Sequence, residues 1–296
     1  GCLRQAGGGG ELGSVRGLHG GGRVLTTQLA LRHQRVQRVR RLLRRRSVRQ
    51  AEGAFVMEGP TLLATALDAG AAVESVFVAP EALSRPEVAG LLDRALGEGA
   101  RVFELGPGVL ERVADTVTPQ PVLAVVRTPT PADGLEGRSF VVVCVDVRDP
   151  GNTGAVIRAA DAAGADAVIC CAGTADPWNP KTVRASAGSV LHLPVFSGDD
   201  PRRALVDLGR SGFRRLAAVA HGGTAYTDAD LTGPVAVVLG NEADGVPDEL
   251  LDEIDGRITV PMAGRAESLN VSLASAVLLF EVRRQRSNLH GVEDAR

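Results

Sequence analysis

The feature that most constrains the fold of this chain is an unbroken apolar run, Phe-Val-Val-Val-Cys-Val, at residues 140–145. Strands without polar alternation are typical of parallel sheets that are covered on both faces. Similar apolar runs occupy residues 167–171, 216–219, 235–239 and 258–260. Helical patterns separate these runs, at residues 154–163, 201–209, 248–251 and 271–284, and the alternation predicts an α/β sheet with helix crossovers.

A smaller α/β unit precedes this sheet. Short apolar runs alternate with helical patterns between Thr27 and Val126, and a polar segment rich in Pro and Gly follows at 128–137. Such a composition is typical of a linker. We therefore predict a disordered Gly-rich extension at 1–26, a small α/β domain at 27–127, a linker at 128–138 and a larger α/β domain at 139–290.

Polar turns follow three of the predicted strands, at the strand ends where ligands bind in open α/β sheets. The first turn, Asp-Val-Arg-Asp-Pro-Gly-Asn-Thr-Gly at 146–154, opens a helix that carries Arg158 about one turn from its start. Asn152 and Arg158 can therefore flank one cleft. The alternative is an ordinary capped helix whose arginine pairs with an acid, and the residues alone leave both interpretations open.

The second turn follows the strand at 235–239 and reads Gly-Asn-Glu-Ala-Asp-Gly-Val-Pro. Asn241 and Glu242 come directly after a buried strand, where a charge must find a partner or stay in water. This pair distinguishes the segment from an ordinary turn between a strand and a helix, which is the alternative. The turn is thus a second candidate for a functional loop.

The third turn joins the strand at 258–260 to an apolar helix. Ser268 and Asn270 stand at the start of that helix, where their side chains accept hydrogen bonds from free backbone N–H groups. Such a turn offers donors and acceptors to a small polar ligand. A further helix-like stretch with hydroxyls and positive charge, residues 181–189, is interpreted as a surface rather than a site.

Together the three turns resemble, in order and spacing, the three motifs of the SpoU (TrmH-like) branch of the SPOUT RNA methyltransferases. The matching segments are Asp149-Pro-Gly-Asn-Thr-Gly with Arg158, Leu239-Gly-Asn-Glu, and Val260-Pro-Met-Ala-Gly with Ser268-Leu-Asn-Val-Ser. This resemblance spans residues 140–286. Residues 28–126, with Phe55-Val-Met-Glu-Gly, are similar to the RNA-binding domain that precedes the catalytic domain in many members.

The resemblance implies a C-terminal SPOUT α/β domain with a deep trefoil knot, an exception to the rule that chains avoid knots. A small α/β RNA-binding domain would precede it, and the protein would form a homodimer through the C-terminal domain. S-adenosylmethionine (AdoMet) would bind in the knot, without a metal. Its binders would be backbone groups at Leu239, Gly240, Val260, Met262 and Leu269.

The implied reaction is methyl transfer from AdoMet to a ribose 2′-hydroxyl of RNA, with ribosomal RNA as the favoured substrate. Arg158 is the family's candidate for assisting that hydroxyl. Because an arginine side chain ordinarily has a pKa above ~12 and is a poor base, we expect Arg158 to stabilise developing charge and to anchor phosphate. Asn152, Glu242, Ser268 and Asn270 would position the reactants.

One residue departs from the family pattern. The second motif usually reads Gly-x-Glu-Gly, and Ala243 replaces the last glycine. If the position required a positive φ, alanine would cost roughly 1 kcal/mol there. We expect a modest distortion of the loop and not the loss of the site.

A basic segment occupies residues 31–50, which hold nine arginines and no acid. The usual explanation for such a run is a solvated helix face. In an RNA methyltransferase the guanidinium groups would contact phosphate, and Arg38, Arg41 and Arg45 are the predicted RNA-binding residues. The formal net charge of the whole chain is only -2, so it indicates no such partner by itself.

The cysteines and the lengths of the apolar runs favour a cytoplasmic protein. Three of the four cysteines lie in apolar, strand-like runs, and neither the cysteines nor the five histidines have metal-ligand spacing. No apolar run reaches the ~18 residues of a membrane span.

Three functions remain as alternatives to an rRNA ribose methyltransferase. They are a tRNA ribose methyltransferase, a resistance-type rRNA methylase, and a non-catalytic RNA-binding or ribosome-assembly factor.

Overall fold

The computed structural model describes residues 28–114, 116–131, 134–241 and 243–293, with side chains up to residue 288. The predicted extension at 1–26 lies outside these residues. Within the described residues, none of the helices combines the length and the apolar character needed to cross a membrane.

The first of two sheets has four strands among the described residues, in the order β1-β4-β2-β3. Strand β4 is antiparallel to both β1 and β2, and β3 is parallel to β2. The strands are β1 (Ala54–Glu58), β2 (Val73–Val78), β3 (Arg101–Glu104) and β4 (Val122–Arg127). The helices are α1 (Gln34–Arg44), α2 (Arg46–Glu52), α3 (Pro60–Asp68), α4 (Pro86–Gly97) and α5 (Val109–Val113), and a short 3-10 helix spans Pro80–Ala82.

In the part of the chain that the structure describes, the second sheet has seven strands in the order β7-β6-β5-β10-β8-β11-β9, and neighbouring strands run parallel throughout. Its strands are β5 (Phe140–Cys144), β6 (Ala167–Cys170), β7 (Val195–Ser197), β8 (Arg214–Ala218), β9 (Thr224–Ala225), β10 (Val235–Leu239) and β11 (Gly256–Thr259). The helices are α6 (Pro150–Ala163), α7 (Pro180–Ala185), α8 (Pro201–Arg210) and α9 (Val271–Glu293), and 3-10 helices span Ser189–Leu191 and Asp248–Glu253.

The apolar runs that predicted this sheet form its buried centre. Every residue of β5 and β10 is buried, and these two strands pair in the middle of the sheet. Alternate side chains of β5 enter two apolar clusters on opposite faces, as expected for a sheet covered on both sides. The α/β prediction is therefore confirmed.

Several predicted element boundaries were wrong. Helix α6 begins at Pro150 and not at Gly154, because the side chain of Asp149 accepts from Asn152 N at the helix start. Helix α9 continues to Glu293, nine residues past its predicted end at Arg284. The segment predicted as a helix at 248–251 is a 3-10 helix.

Candidate functional site

A cavity of about 500 Å³ opens where β8, β10 and β11 end. This volume lies within the roughly 300–1,000 Å³ that small-molecule sites occupy. The first turns of α9 form another wall through Val271 and Ala274. The five predicted cofactor-binding residues all line this one cavity: Leu239, Gly240, Val260, Met262 and Leu269.

The loop after β10 closes tightly against itself at the cavity wall. The backbone groups of Asn241 and Gly245 exchange two hydrogen bonds of 2.9 Å each. Gly240 is packed so closely that a Cβ there would lie 2.1 Å from the carbonyl carbon of Gly245. Only a glycine at position 240 allows this closure, which explains why a glycine directly follows the buried strand β10.

The same loop is attached to the turn after β5. The side-chain Nδ2 of Asn241 donates to the carbonyl oxygen of Asp146 at 3.0 Å. Asp146 has a φ of 57°, a left-handed conformation in which non-glycine residues are uncommon and which occurs at functional turns. The first and second predicted turns are therefore in direct contact, because β5 and β10 are neighbouring strands.

The third turn meets the first through two amides. Asn270 caps α9 by accepting from Ser272 N at 2.9 Å, and its Nδ2 donates to Oδ1 of Asn152 at 3.2 Å. Asn152 lies in the first turn of α6, where its backbone N–H is bound by Asp149. The predicted pair Asn152 and Asn270 is thus brought together, beside the cavity residues Leu269 and Val271.

The other predicted catalytic residues occupy different positions. Ser268 is exposed and lines the cavity. Arg158 is exposed on α6, and its side chain makes no hydrogen bond or ion pair with the residues that the structure describes. Because α6 begins at Pro150, Arg158 lies about two turns into the helix rather than one. Glu242 lies outside the described residues.

Ala243 is tied to the start of this loop, since its N–H donates to Oδ1 of Asn241 at 2.9 Å. Gly245 of the same loop has a positive φ of 69°. The modest distortion expected from alanine at position 243 stays a prediction.

The three predicted RNA-binding arginines differ in whether another residue of the chain binds their guanidinium group. Arg38 is held by Glu52 and Glu74, with N···O distances of 2.6 and 2.7 Å, so its guanidinium is occupied within the chain. Arg41 and Arg45 are exposed, and within the described residues their side chains form neither hydrogen bonds nor ion pairs. Arg44 and Arg46 are exposed as well. Together with Arg41 and Arg45 they form a basic surface at the junction of α1 and α2.

Sequence reasoning missed one wall of the cavity. The end of β8 and the loop after it contribute Ala218, Val219, Ala220 and His221. The available signal was the position of β8 beside β10 in a parallel sheet, whose strand ends share one edge. The segment carries few polar side chains, and for that reason it did not stand out.

Comparison with known proteins places these observations in one family. Residues 139–280 match the SpoU rRNA Methylase family, and residues 33–124 match the MRM3-like substrate binding domain. The 23S rRNA (guanosine(2553)-2'-O)-methyltransferase RlmP of Bacillus subtilis is 35% identical over 230 residues, which are 77% of this chain and 88% of the relative. The chain belongs to the SpoU rRNA methylase family.

Other members of the family are similar over most of this chain. A 23S rRNA (uridine(2479)-2'-O)-methyltransferase of Streptomyces viridochromogenes is 30% identical over 270 residues, covering 88% of this chain and 92% of the relative. The AdoMet-bound rRNA methyltransferase from Sinorhizobium meliloti superposes with a TM-score of 0.75 at 30% identity, covering 88% of this chain and 98% of that one. The parallel sheet matches these SPOUT methyltransferase structures, and the trefoil knot is implied by that fold family.

Proposed function

We propose that this protein transfers the methyl group of AdoMet to a ribose 2′-hydroxyl of ribosomal RNA, specifically 23S rRNA. The class of reaction is that of the SpoU family to which the chain belongs. The observation that carries the proposal is the meeting of the three motif turns at one place. The Asn152–Asn270 hydrogen bond links the start of α6 with the start of α9, beside residues that line the cavity.

The cavity suits AdoMet in size and in chemistry. Its walls combine apolar side chains such as Leu239 and Leu278 with polar and acidic ones such as Asn241 and Asp244. A sulfonium cofactor with a nucleoside and an amino acid needs both kinds of wall. The missing side chain at Gly240 lets the backbone of Gly245 approach closely and shapes the base of this cradle. The residues present therefore fit the cofactor.

When bound there, AdoMet supplies an electrophilic methyl group. The ribose oxygen that accepts this methyl group must lose its proton, so negative charge develops on it as it reacts. Arg158 is exposed, and its guanidinium is engaged by none of the described residues, so it is available to stabilise this charge and to hold a neighbouring phosphate. Asn152, Asn270 and Ser268 would orient the ribose, together with Glu242.

The substrate-binding part of the chain offers a basic surface for the RNA. Arg41, Arg44, Arg45 and Arg46 project from the junction of α1 and α2. Within the described residues these guanidinium groups have no acidic partner, and phosphate contacts would satisfy them. Removing two of these charges should weaken RNA binding and reduce its dependence on salt.

A homodimer formed through α9 is part of the proposal. Leu273, Val277 and Phe280 lie one turn apart on this helix, and 58%, 36% and 47% of their surfaces remain exposed. Three large apolar side chains on one helix face indicate a protein contact, and a second copy is the occupant implied by the family resemblance. Phe280→Ser should shift the protein toward monomers in sedimentation equilibrium. Val117→Ser, at an exposed apolar residue of the first domain, is the matched control.

The decisive experiment maps 2′-O-methyl groups in total RNA from cells with and without the gene. A cytoplasmic enzyme that acts on ribosomal RNA should leave one 23S position unmethylated when the gene is absent. Purified protein and AdoMet should restore the modification on the RNA from the deleted strain. Loss of a methyl group from tRNA instead would contradict the proposed substrate. Calorimetry that detects no AdoMet binding would favour a non-catalytic RNA-binding factor.

A further inference from the structure

Helix α7 is buried between the two parts of the molecule. The sequence suggested a surface at 181–189, yet Thr182, Val183 and Ser186 are buried, with Thr182 and Ser186 wholly inaccessible. One side of α7 packs against α6, and the other packs against β1. The segment is therefore the junction between the substrate-binding domain and the helix that carries Asn152 and Arg158.

The contact with α6 is unusually close. A Cβ at Gly154 would lie 2.4 Å from the carbonyl oxygen of Thr182 and 2.6 Å from the Cβ of Ala185. Near the start of the two helices, Nζ of Lys181 donates to Oδ2 of Asp149 at 2.9 Å. This hydrogen bond lowers the pKa of Asp149, whose other carboxylate oxygen accepts from Asn152 N. The position of α7 thus determines the position of the first turn of α6.

On the opposite side, the segment before α7 holds the substrate-binding domain through a buried ion pair. Arg49 and Asp176 expose only 4% and 8% of their side chains. Nε and Nη2 of Arg49 lie 2.8 and 2.6 Å from Oδ2 of Asp176, and Nη1 donates to the carbonyl oxygen of Leu42 at 2.7 Å. The second oxygen of Asp176 accepts from Trp178 N at 3.0 Å.

Apolar and polar contacts extend the same interface. The ring of Trp178 packs on Phe55 of β1, with centroids 4.9 Å apart. Arg184 of α7 donates to the buried carboxylate of Glu58 at 3.3 Å. Phe55 and Trp178 belong to one apolar cluster that continues into the second sheet. Interfaces between domains of one chain are often mobile. Here a desolvated ion pair and a continuous apolar core hold the two domains in one specific relative position.

We propose that Asp176 is a positioning residue for methyl transfer: by binding Arg49 it fixes the substrate-binding domain against α7, and α7 in turn fixes the first turn of α6. RNA held by the first domain then meets Asn152 and Arg158 at a set distance. The inference rests on the proposed function, because it assumes that RNA is bound by the first domain. Asp176 touches neither RNA nor AdoMet in this scheme and acts only through α7.

The test compares three variants of the full-length protein. Asp176→Asn keeps the acceptor for Trp178 N and removes the charge opposite Arg49. Because a buried arginine without its partner destabilises a protein, Arg49→Met/Asp176→Asn removes both charges and serves as the second variant. Asp68→Asn is the control, since Asp68 forms an exposed ion pair with Arg94 inside the first domain alone.

Three measurements are made on each variant: AdoMet affinity by calorimetry, the single-turnover methylation rate at saturating rRNA and AdoMet, and hydrogen exchange of the Asn152 and Thr153 amides. We expect AdoMet affinity to stay within about twofold, because the cavity is built from other elements. The rate should fall about tenfold or more, since small displacements of reactants are costly. The two amides should exchange faster. The control should match the unaltered protein in all three measurements.

Two results would overturn the inference. One is that Arg49→Met/Asp176→Asn changes neither the methylation rate nor the hydrogen exchange of the Asn152 and Thr153 amides. The other is a loss of rate that only follows a loss of AdoMet binding, which would mean that the pair supports folding and not docking. If the unaltered protein methylates no rRNA, the proposed function fails separately. The exchange measurement then still decides whether Asp176 positions α6.

Discussion

Asn270 joins the last of the three motif turns to the first, because its Nδ2 lies 3.2 Å from Oδ1 of Asn152 across 118 positions of sequence. The same side chain caps α9 with its own Oδ1, which accepts from Ser272 N and from Ser272 Oγ. One amide therefore sets the start of a helix and the orientation of a second amide. These two roles can be separated by mutation, because they use different atoms.

Asn270→Asp should retain the cap and lose the contact with Asn152. Asparagine and aspartate are similarly good caps, so we expect the free energy of unfolding to change by only a few tenths of a kcal/mol. The methylation rate should fall because Oδ1 of Asn152 would then face a carboxylate that cannot donate. Urea unfolding and single-turnover kinetics measure the two effects.

Asn270→Ala provides the comparison for this experiment. It removes both contacts, so it should lower the rate and also destabilise the protein by about 0.5–2 kcal/mol. Should Asn270→Asp methylate RNA at the rate of the unaltered protein, the contact with Asn152 would have no part in positioning. The capping role would stand in that case.

Arg158 should be needed for methyl transfer and not for cofactor binding. Arg158→Ala removes a charge that none of the described residues engages, so its loss should leave the fold unchanged. We expect the single-turnover rate to fall by about 10²-fold, the typical effect of removing one charge-stabilising donor. Arg158→Lys should retain part of the rate, since a lysine keeps the charge without the planar pair of donors.

Arg210→Ala is the matched control for Arg158. Arg210 is also exposed on a helix of the second domain, where it pairs loosely with Asp207 at 3.6 Å. Arg210→Ala should leave both the methylation rate and the AdoMet affinity unchanged. Near-normal turnover in Arg158→Ala, with intact AdoMet binding, would show that the assigned role is wrong.

Gly240 should be required for AdoMet binding. In Gly240→Ala the new Cβ would meet the carbonyl carbon of Gly245 at 2.1 Å, so the loop that lines the cavity must move. We expect AdoMet affinity to fall about tenfold or more by calorimetry, which corresponds to about 1.4 kcal/mol. Gly233→Ala, near the other end of β10 and with open space around the new Cβ, should bind AdoMet normally. Equal affinities in the two variants would contradict the cradle described for Gly240.

Much of the second sheet could be predicted from the sequence because its strands are buried on both faces. Strand β10 has the predicted bounds, 235–239, since its unbroken apolar run leaves no other interpretation. Helix α6 was predicted four residues short, because Pro150 and Gly151 discourage a helix assignment. A proline is tolerated in the first turn, and the cap from Asp149 makes that start stable.

The sequence could not reveal contacts that arise only from packing between distant segments. Each motif turn was visible by itself, whereas the bond between Asn152 and Asn270 depends on how the turns are brought together. The burial of α7 was missed for a similar reason. Its Thr182 and Ser186 are typical of an exposed helix, and they are buried only because two domains close over them.

Thr182 should be a site where the protein can be stabilised. Its Oγ1 is buried and finds no hydrogen-bond partner among the described residues. A buried hydroxyl without a partner costs about 1–3 kcal/mol, and valine has nearly the same shape without the polar atom. We therefore expect Thr182→Val to raise the free energy of unfolding by about 1 kcal/mol in urea denaturation.

Thr182→Ser is the matched control, because it keeps the hydroxyl and removes the buried methyl group. Thr182→Ser should destabilise the protein by about 1 kcal/mol through the loss of the apolar contacts of this buried methyl group. If Thr182→Val proved less stable than the unaltered protein while its methylation rate held, the hydroxyl must be satisfied in solution. Helix α7 would then bury a bonded water together with its threonine, and the interface between the domains would be wetter than its apolar cluster indicates.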